Sequence, residues 1–141
     1  MSIHIATAAI TSPAPASAFF ERWADMETWP EWNTDTAWVR LDGPFAQGAT
    51  GTLKPKGGPK VRFVVAELSH ERFLDVSTLL GARLSFDHRV SVVEGGTRVE
   101  VTVSLDGPLA RVWNVILGSD LRASLQPDLD RLAAVASGAA A

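Results

Sequence analysis

The chain has no cysteine and no tyrosine, and only three histidines, His4, His70 and His88. Without a thiol there is no disulfide, no Cys-ligated zinc, no iron–sulfur cluster and no thiolate nucleophile. Without a phenol, no mechanism can use tyrosine as an acid or an oxyanion donor. Three histidines scattered along the chain argue against a multi-His metal site, the Asp and Glu positions show no metal-ligand spacing, and no cofactor is implied. No apolar run reaches the roughly 18 residues of a membrane-spanning helix. No G-x-S-x-G, Walker loop, dinucleotide fingerprint or kinase motif set is present. What remains is ordinary globular composition. The 141 residues are 46% apolar and 21% charged, and include five tryptophans and six phenylalanines. That is the size of one domain, large enough to bury a core without staples.

The net charge of −3 carries no electrostatic footprint for nucleic acid. All three lysines, Lys54, Lys56 and Lys60, sit in one segment, K-P-K-G-G-P-K. Gly57-Gly58-Pro59 is turn chemistry, so the segment reads first as a solvated hairpin tip and second as a local anion or membrane-surface patch. Ala14-Pro15-Ala16-Ser17-Ala18 faintly resembles a cleavage site. Nothing basic precedes it, and the residues before it are broken by polar side chains, so no secretory signal is expected. Together with the absent cysteines, this points to a cytoplasmic protein.

Residues 3–10 read as a strand with Ile3, Ile5 and Thr7 on one face. Pro15 then suits the start of a helix over about 15–25, with Phe19, Phe20 and Trp23 as its apolar stripe. A second short helical turn covers Asp25 to Trp32. From residue 35 to 105 short alternating runs are separated by turn signals, and six strands are predicted: Thr36–Asp42, Gly48–Pro55, Lys60–Ser69, Arg72–Leu80, Arg83–Glu94 and Thr97–Leu105. Residues 108–136 follow as one long helix. Leu109, Val112, Trp113, Ile116, Leu117, Leu121, Leu125, Leu129, Leu132 and Ala136 fall at helical spacing, and Pro127 is expected to kink or divide it near Leu125. Residues 137–141 read as a frayed tail, and the whole of 1–141 as a single domain.

Two hairpins set candidate faces. A two-residue Gly95-Gly96 turn would pair Val92 with Val99, Val90 with Val101, His88 with Val103 and Phe86 with Leu105. The buried face is then Leu84, Phe86, His88, Val90 and Val92 against the alternate valines from Val99 to Leu105. His88 is the exception on that face: either a satisfied core histidine or a polar handle lining a cavity. In the preceding hairpin a two-residue Gly81-Ala82 turn would set Asp75 opposite His88, with Phe73, Ser77 and Leu79 inward. A three-residue loop would turn Leu74, Val76 and Thr78 inward, a more apolar set and therefore the preferred one.

Such a sheet must bury one face, and only the last helix, about 43 Å long, can cover it. The space between a curved sheet and a straight helix is a natural cavity. The order of elements, together with Pro13-Ala14-Pro15-Ala16 before Phe19-Phe20, W-P-E-W at 29–32, Leu41-Asp42-Gly43-Pro44, F-D-H-R-V at 86–90, G-G-T-R-V at 95–99 and Asp106-Gly107-Pro108-Leu109-Ala110, resembles the START-like superfamily, and within it the bacterial SRPBCC or polyketide cyclase/dehydrase-like proteins. The resemblance spans almost the whole chain. It implies an α+β helix-grip fold, like that of pollen allergens: a curved seven-stranded antiparallel sheet wrapped around a long C-terminal helix, with two short helices after strand 1.

The function this suggests is binding of a hydrophobic, lipid- or polyketide-like small molecule by a monomer or homodimer, without nucleic acid or membrane insertion. Phe63, Val65, Phe86, Val90, Trp113 and Leu117 would form the wall, Trp29 and Trp32 the mouth, and His88 would orient the ligand. The alternatives are a cyclase- or dehydratase-like enzyme with His88, and Asp75 beside it, as acid–base, and a chaperone-partner-like interaction module using Trp38 or the lysine loop. Trp29, Trp32 and Trp113 can also be read as core packing.

Overall fold

A computed structural model describes residues 2–138. Seven strands form one antiparallel sheet: β1 (Ser2–Ser12), β2 (Thr36–Leu41), β3 (Thr50–Pro55), β4 (Val61–Leu68), β5 (Arg72–Leu79), β6 (Ala82–Val93) and β7 (Gly96–Asp106). Their spatial order is β1-β7-β6-β5-β4-β3-β2. Six strands therefore pair with their neighbours in sequence, and β1 closes onto the last. Between β1 and β2 lie helix α1 (Ala16–Ala24) and a 3₁₀ turn, Met26–Glu31. Helix α2 (Ala110–Ala136) follows the sheet. This is the expected helix-grip architecture. The predicted tail falls only partly within the described residues, which include Ser137 and Gly138 but not 139–141.

The local causes are legible. Proline fixes φ and lacks a donor, so Pro15 opens α1 without an orphaned N–H, and its carbonyl accepts from Ala18 N–H at 3.0 Å. The buried residues of α1 are Phe19 and Trp23, one turn apart. Pro30 lies inside the next turn, which stays a short 3₁₀ segment. Pro127 is expected to kink or divide α2, and it does not divide it: the helix is continuous from Ala110 to Ala136. The carbonyl that Pro127 cannot satisfy belongs to Ala123, which lies on the exposed side and can bond to water.

Both hairpins correct the expected register. Val93 pairs with Gly96, so the turn is Glu94-Gly95 and the pairs run Val90↔Val99, His88↔Val101, Phe86↔Val103 and Leu84↔Leu105. Leu79 pairs with Ala82 across a Leu80-Gly81 turn, with Gly81 at φ +70°. In the last hairpin the turn starts one residue early and every pair shifts by two positions, whereas in the preceding hairpin a two-residue turn stands in place of the preferred three-residue loop. A two-residue shift preserves the face, because side chains alternate with period two. It leaves Val92 beyond the packed sheet, 83% exposed, and buries Thr97. Gly96 is needed for proximity: a Cβ there would stand 1.9 Å from the Ser12 carbonyl oxygen at the end of β1.

Two further expectations are revised. A β-bulge between His4 and Ala6 breaks the alternation of β1, so Ile5 and Ala8 are buried. Thr7 faces outward, where its hydroxyl meets that of Thr102 at 3.3 Å. On α2 the ten-residue apolar stripe is too wide to bury. Leu129 and Leu132 are buried and Trp113, Leu117, Leu121 and Leu125 pack against the core, whereas Leu109, Val112 and Ile116 are exposed. At about 100° per residue, Val112 lies roughly half a turn of the helix away from Leu121.

The closest partner of α2 is β1. As an edge strand β1 has unpaired carbonyls, and α2 satisfies them: Arg122 Nε donates to the Ile5 oxygen at 3.2 Å and Gln126 Nε2 to the Ala9 oxygen at 3.1 Å. At its start, the Leu109 N–H donates to the Gly81 oxygen at 2.9 Å and Trp113 Nε1 to the Leu80 oxygen at 2.8 Å. Near its end Arg131 Nε donates to the Trp32 oxygen at 3.0 Å. The helix is thus fastened along β1 and at both ends, and its apolar side packs against the core.

Candidate functional site beneath helix α2

The register places three rows of side chains across the inner face. One row is Phe63–Ser77–Leu84–Leu105, the next Val65–Asp75–Phe86–Val103, and the third Phe73–His88–Val101. Phe73, Asp75 and Ser77 are therefore the inward face of β5, not Leu74, Val76 and Thr78. Counting apolar residues favoured the wrong face, because the outward Leu74 and Val76 are themselves half-buried on the other side of the sheet.

The alternative pairing of Asp75 with His88 does not form. Asp75 stands opposite Phe86, and His88 opposite Phe73. The His88 ring bonds through Nδ1 to the Phe73 carbonyl oxygen at 2.8 Å. A carbonyl only accepts, so this nitrogen carries the proton. The imidazole stacks on Phe73 (ring centroids 4.7 Å apart, 16° between planes) and lies 4.9 Å from Trp23. Burial pushes its pKa down to about 4, against a smaller upward pull from the Phe73 carbonyl. His88 is neutral, hydrogen-bonded and packed.

Around it an aromatic cluster fills the short-helix end of the sheet. Phe73 meets Trp23 at 5.5 Å, Trp29 at 6.4 Å and Phe45 at 5.3 Å. Trp29 packs on Trp32 at 5.5 Å, and its Nε1 donates to the Trp23 carbonyl at 3.2 Å. Trp29 and Trp32 are both buried, so they sit within this plug and not around an opening. The Nε1 groups of Trp23 and Trp32 are buried without a partner.

Further along the sheet the environment differs. Asp75 and Ser77 are each 7% exposed, and among the described residues no hydrogen bond or ion pair reaches either side chain. Burial alone pushes the Asp75 carboxyl up to about 8. At neutral pH it is therefore largely the acid, with an O–H to donate. Around it Phe63, Val65 and Leu84 are buried and Phe86 half-buried; Val90 lies beyond His88, toward Glu71. From α2, Trp113 and Leu117 pack partly buried against the core. Ser77 and Phe73 were named as inward only under the less favoured two-residue turn and were not among the candidate site residues. Alternation with Asp75 was the available signal, and it depended on the turn.

Elsewhere, His4 is exposed beside Thr7 and His70 is exposed beside Glu71. Trp38 is half-buried, with the Arg40 guanidinium 5.2 Å over its ring. Lys54 bonds back to the carbonyls of Pro55 and Gly58 within its own hairpin. Two clefts lie on other surfaces. One of about 420 Å³ is bordered by Arg72, Arg89, Arg98 and Glu100, and one of about 310 Å³ lies between α1 and the end of α2. Among the described residues no cluster of His, Asp or Glu is placed to hold a metal ion, and no helix is long and apolar enough to cross a membrane.

A seven-stranded antiparallel sheet with a long C-terminal helix, and an inner face that is mostly apolar with a few isolated polar groups, is a helix-grip fold. The family model for polyketide cyclase / dehydrase and lipid transport matches residues 4–137, and the chain belongs to that family. Solved structures with the same fold include a START superfamily protein from Mycobacterium smegmatis, at TM-score 0.72 and 12% identity over 98% of this chain and all of that one (100%). Ara h 8.0201 superposes at TM-score 0.72 with 14% identity, covering 98% and 99% of the two chains. The Zhui aromatase/cyclase from a Streptomyces species does so at 0.69 and 14%, covering 97% and 94%. No curated protein matches by sequence.

Proposed function

We propose that this protein binds an apolar small molecule between the inner face of the sheet and helix α2. The observation that carries the reading is the pair Asp75 and Ser77: two polar side chains buried on a mostly apolar face, which, unlike His88, have no hydrogen-bond partner among the described residues. A buried polar group without a hydrogen bond is costly, and a bound molecule can supply the missing bond. Apolar wall around a few polar groups is the usual composition of a small-molecule site. The family, whose description includes lipid transport, and the fold shared with an aromatase/cyclase support the same reading.

An acid–base role centred on His88 has less support. Its ring is stacked in the aromatic plug, its proton is committed to the Phe73 carbonyl, and its pKa is pushed far below neutrality.

A panel of naphthalene and anthracene derivatives tests the proposal by thermal shift and tryptophan quenching. Ligands should raise the melting temperature of the wild type. Leu117→Arg, on the inward side of α2, should abolish that rise, while Val112→Arg, on the opposite side, should leave it. Equal responses in both variants would overturn the reading.

A further inference from the structure

Asp75 and Ser77 are neighbours on one face of β5, about 7 Å apart along the strand. Both are more than nine-tenths buried, and both lie on the inner face of the sheet, the side on which the apolar residues of α2 pack. The charged groups of the surrounding elements face away. Arg72 and Asp87 project from the outer face and bind each other at 2.9 Å. Arg62, on β4, is taken up by Asp42 and Thr52 on that same outer side. From β6 the only titratable group on the inner face is His88, already bonded to Phe73. The inward residues of β4, Phe63 and Val65, and those of β7, Val101 and Val103, are apolar. So are the inward residues of α1 and the 3₁₀ turn, Phe19, Trp23, Met26 and Trp29, and of α2, Trp113, Leu117 and Leu121. Among the described residues no cation on this face is therefore available to a negatively charged ligand, and Asp75 is held where ionisation is unfavourable.

Resting on the binding function proposed above, we propose that Asp75 is the specificity-determining group of the site: as a neutral carboxylic acid it donates to a carbonyl or ether oxygen of an uncharged ligand, and it rejects ligands bearing a carboxylate. Ser77 is the second polar contact, suited to another oxygen of the same molecule. Selection against carboxylates has two causes acting together, namely the absence of a cation on this face and the repulsion that would follow if Asp75 lost its proton. The upward shift of the Asp75 pKa by burial agrees with this arrangement and sets its pH range.

Three probes sharing one ring system separate the possibilities: a methyl naphthyl ketone, naphthoate and naphthylmethylamine, the last two charged at neutral pH. Dissociation constants are measured by calorimetry for the wild type, Asp75→Asn and Asp75→Leu. The ketone should bind the wild type at least about tenfold more tightly than naphthoate, the scale of one hydrogen bond to a buried group. Its affinity should fall between about pH 6 and about pH 9 as the donor is lost. Asp75→Asn keeps a donor, so it should hold the ketone within a few-fold and remove the pH dependence. Asp75→Leu, which folds without a buried charge, should lose about tenfold for the ketone and narrow the gap to naphthoate. Equal or tighter binding of naphthoate to the wild type, or unchanged ketone affinity in Asp75→Leu, would overturn the assignment while leaving the binding site standing. Tightest binding of the ammonium probe would also overturn it, because Asp75 would then act as a carboxylate. Failure of all three probes to bind would overturn the binding function itself.

Discussion

Asp75 makes the stability of this protein depend on pH in a direction opposite to that of most carboxylates. Its ordinary pKa of 3.8 rises to about 8 in the folded chain. Between those values the folded state keeps a proton that the unfolded state releases, so stability is lost as pH rises through this range and levels off above it. His88 acts the other way. Its pKa falls from 6.5 to about 4 on folding, so its contribution is present above 6.5 and is lost as pH drops toward 4. From about 4 to 6.5 the two oppose each other, and from 6.5 to about 8 Asp75 acts alone. Over that interval of about 1.5 pH units, at about 1.4 kcal/mol per unit, the wild type should lose about 2 kcal/mol. For a chain of this size that corresponds to a drop of about 6 °C in Tm. Asp75→Asn has no proton to lose and should be flat over the same interval. The measurement is a series of urea titrations followed by tryptophan emission, with Trp23 in the core as reporter. Parallel slopes for wild type and Asp75→Asn would refute both the burial of the carboxyl and the absence of a partner for it.

Other substitutions probe the remaining framework. His88→Ala removes a ring stacked on Phe73 and close to Trp23 and should cost about 2–4 kcal/mol; an effect near zero by chemical denaturation would mean the cluster is loosely packed. Thr97→Val should cost about 1 kcal/mol, because the buried hydroxyl donates to the Ala14 carbonyl at 2.8 Å. In the register expected from a Gly95-Gly96 turn, Thr97 lies at the turn and the change is neutral. Gly51→Ala would place a methyl 2.5 Å from the Phe63 ring and 2.6 Å from the Arg40 carbonyl oxygen. It should destabilise by about 1–3 kcal/mol and shift Phe63 in the floor of the site, detectable as altered ligand affinity.

The element order was readable because each element carries its own local cause: alternation for the strands, Pro15 for the start of α1, and three- and four-residue spacing for α2. The face of β6 and β7 was readable for the same reason, since valines and leucines alternate with polar residues. Which residues stand opposite one another was not. Alternation repeats every two positions, so it is blind to a shift of two. The choice between Glu94-Gly95 and Gly95-Gly96 as the turn depends on β1, whose Ser12 carbonyl occupies the space beside Gly96.

The site divides along the same line. His88 could be recognised in the sequence as the polar intruder on an apolar face, and the scarcity of proton-carrying side chains already favoured holding a ligand over transforming one. Only the tertiary structure could decide which polar group was left free. Phe73, one strand away, supplies the carbonyl that satisfies His88 and the ring that packs it. Asp75, two residues on and facing the same way, meets no such partner. A chain's own alternation determines which side of a sheet a residue faces, but a hydrogen bond belongs to two strands at once, and the second strand is placed by the fold.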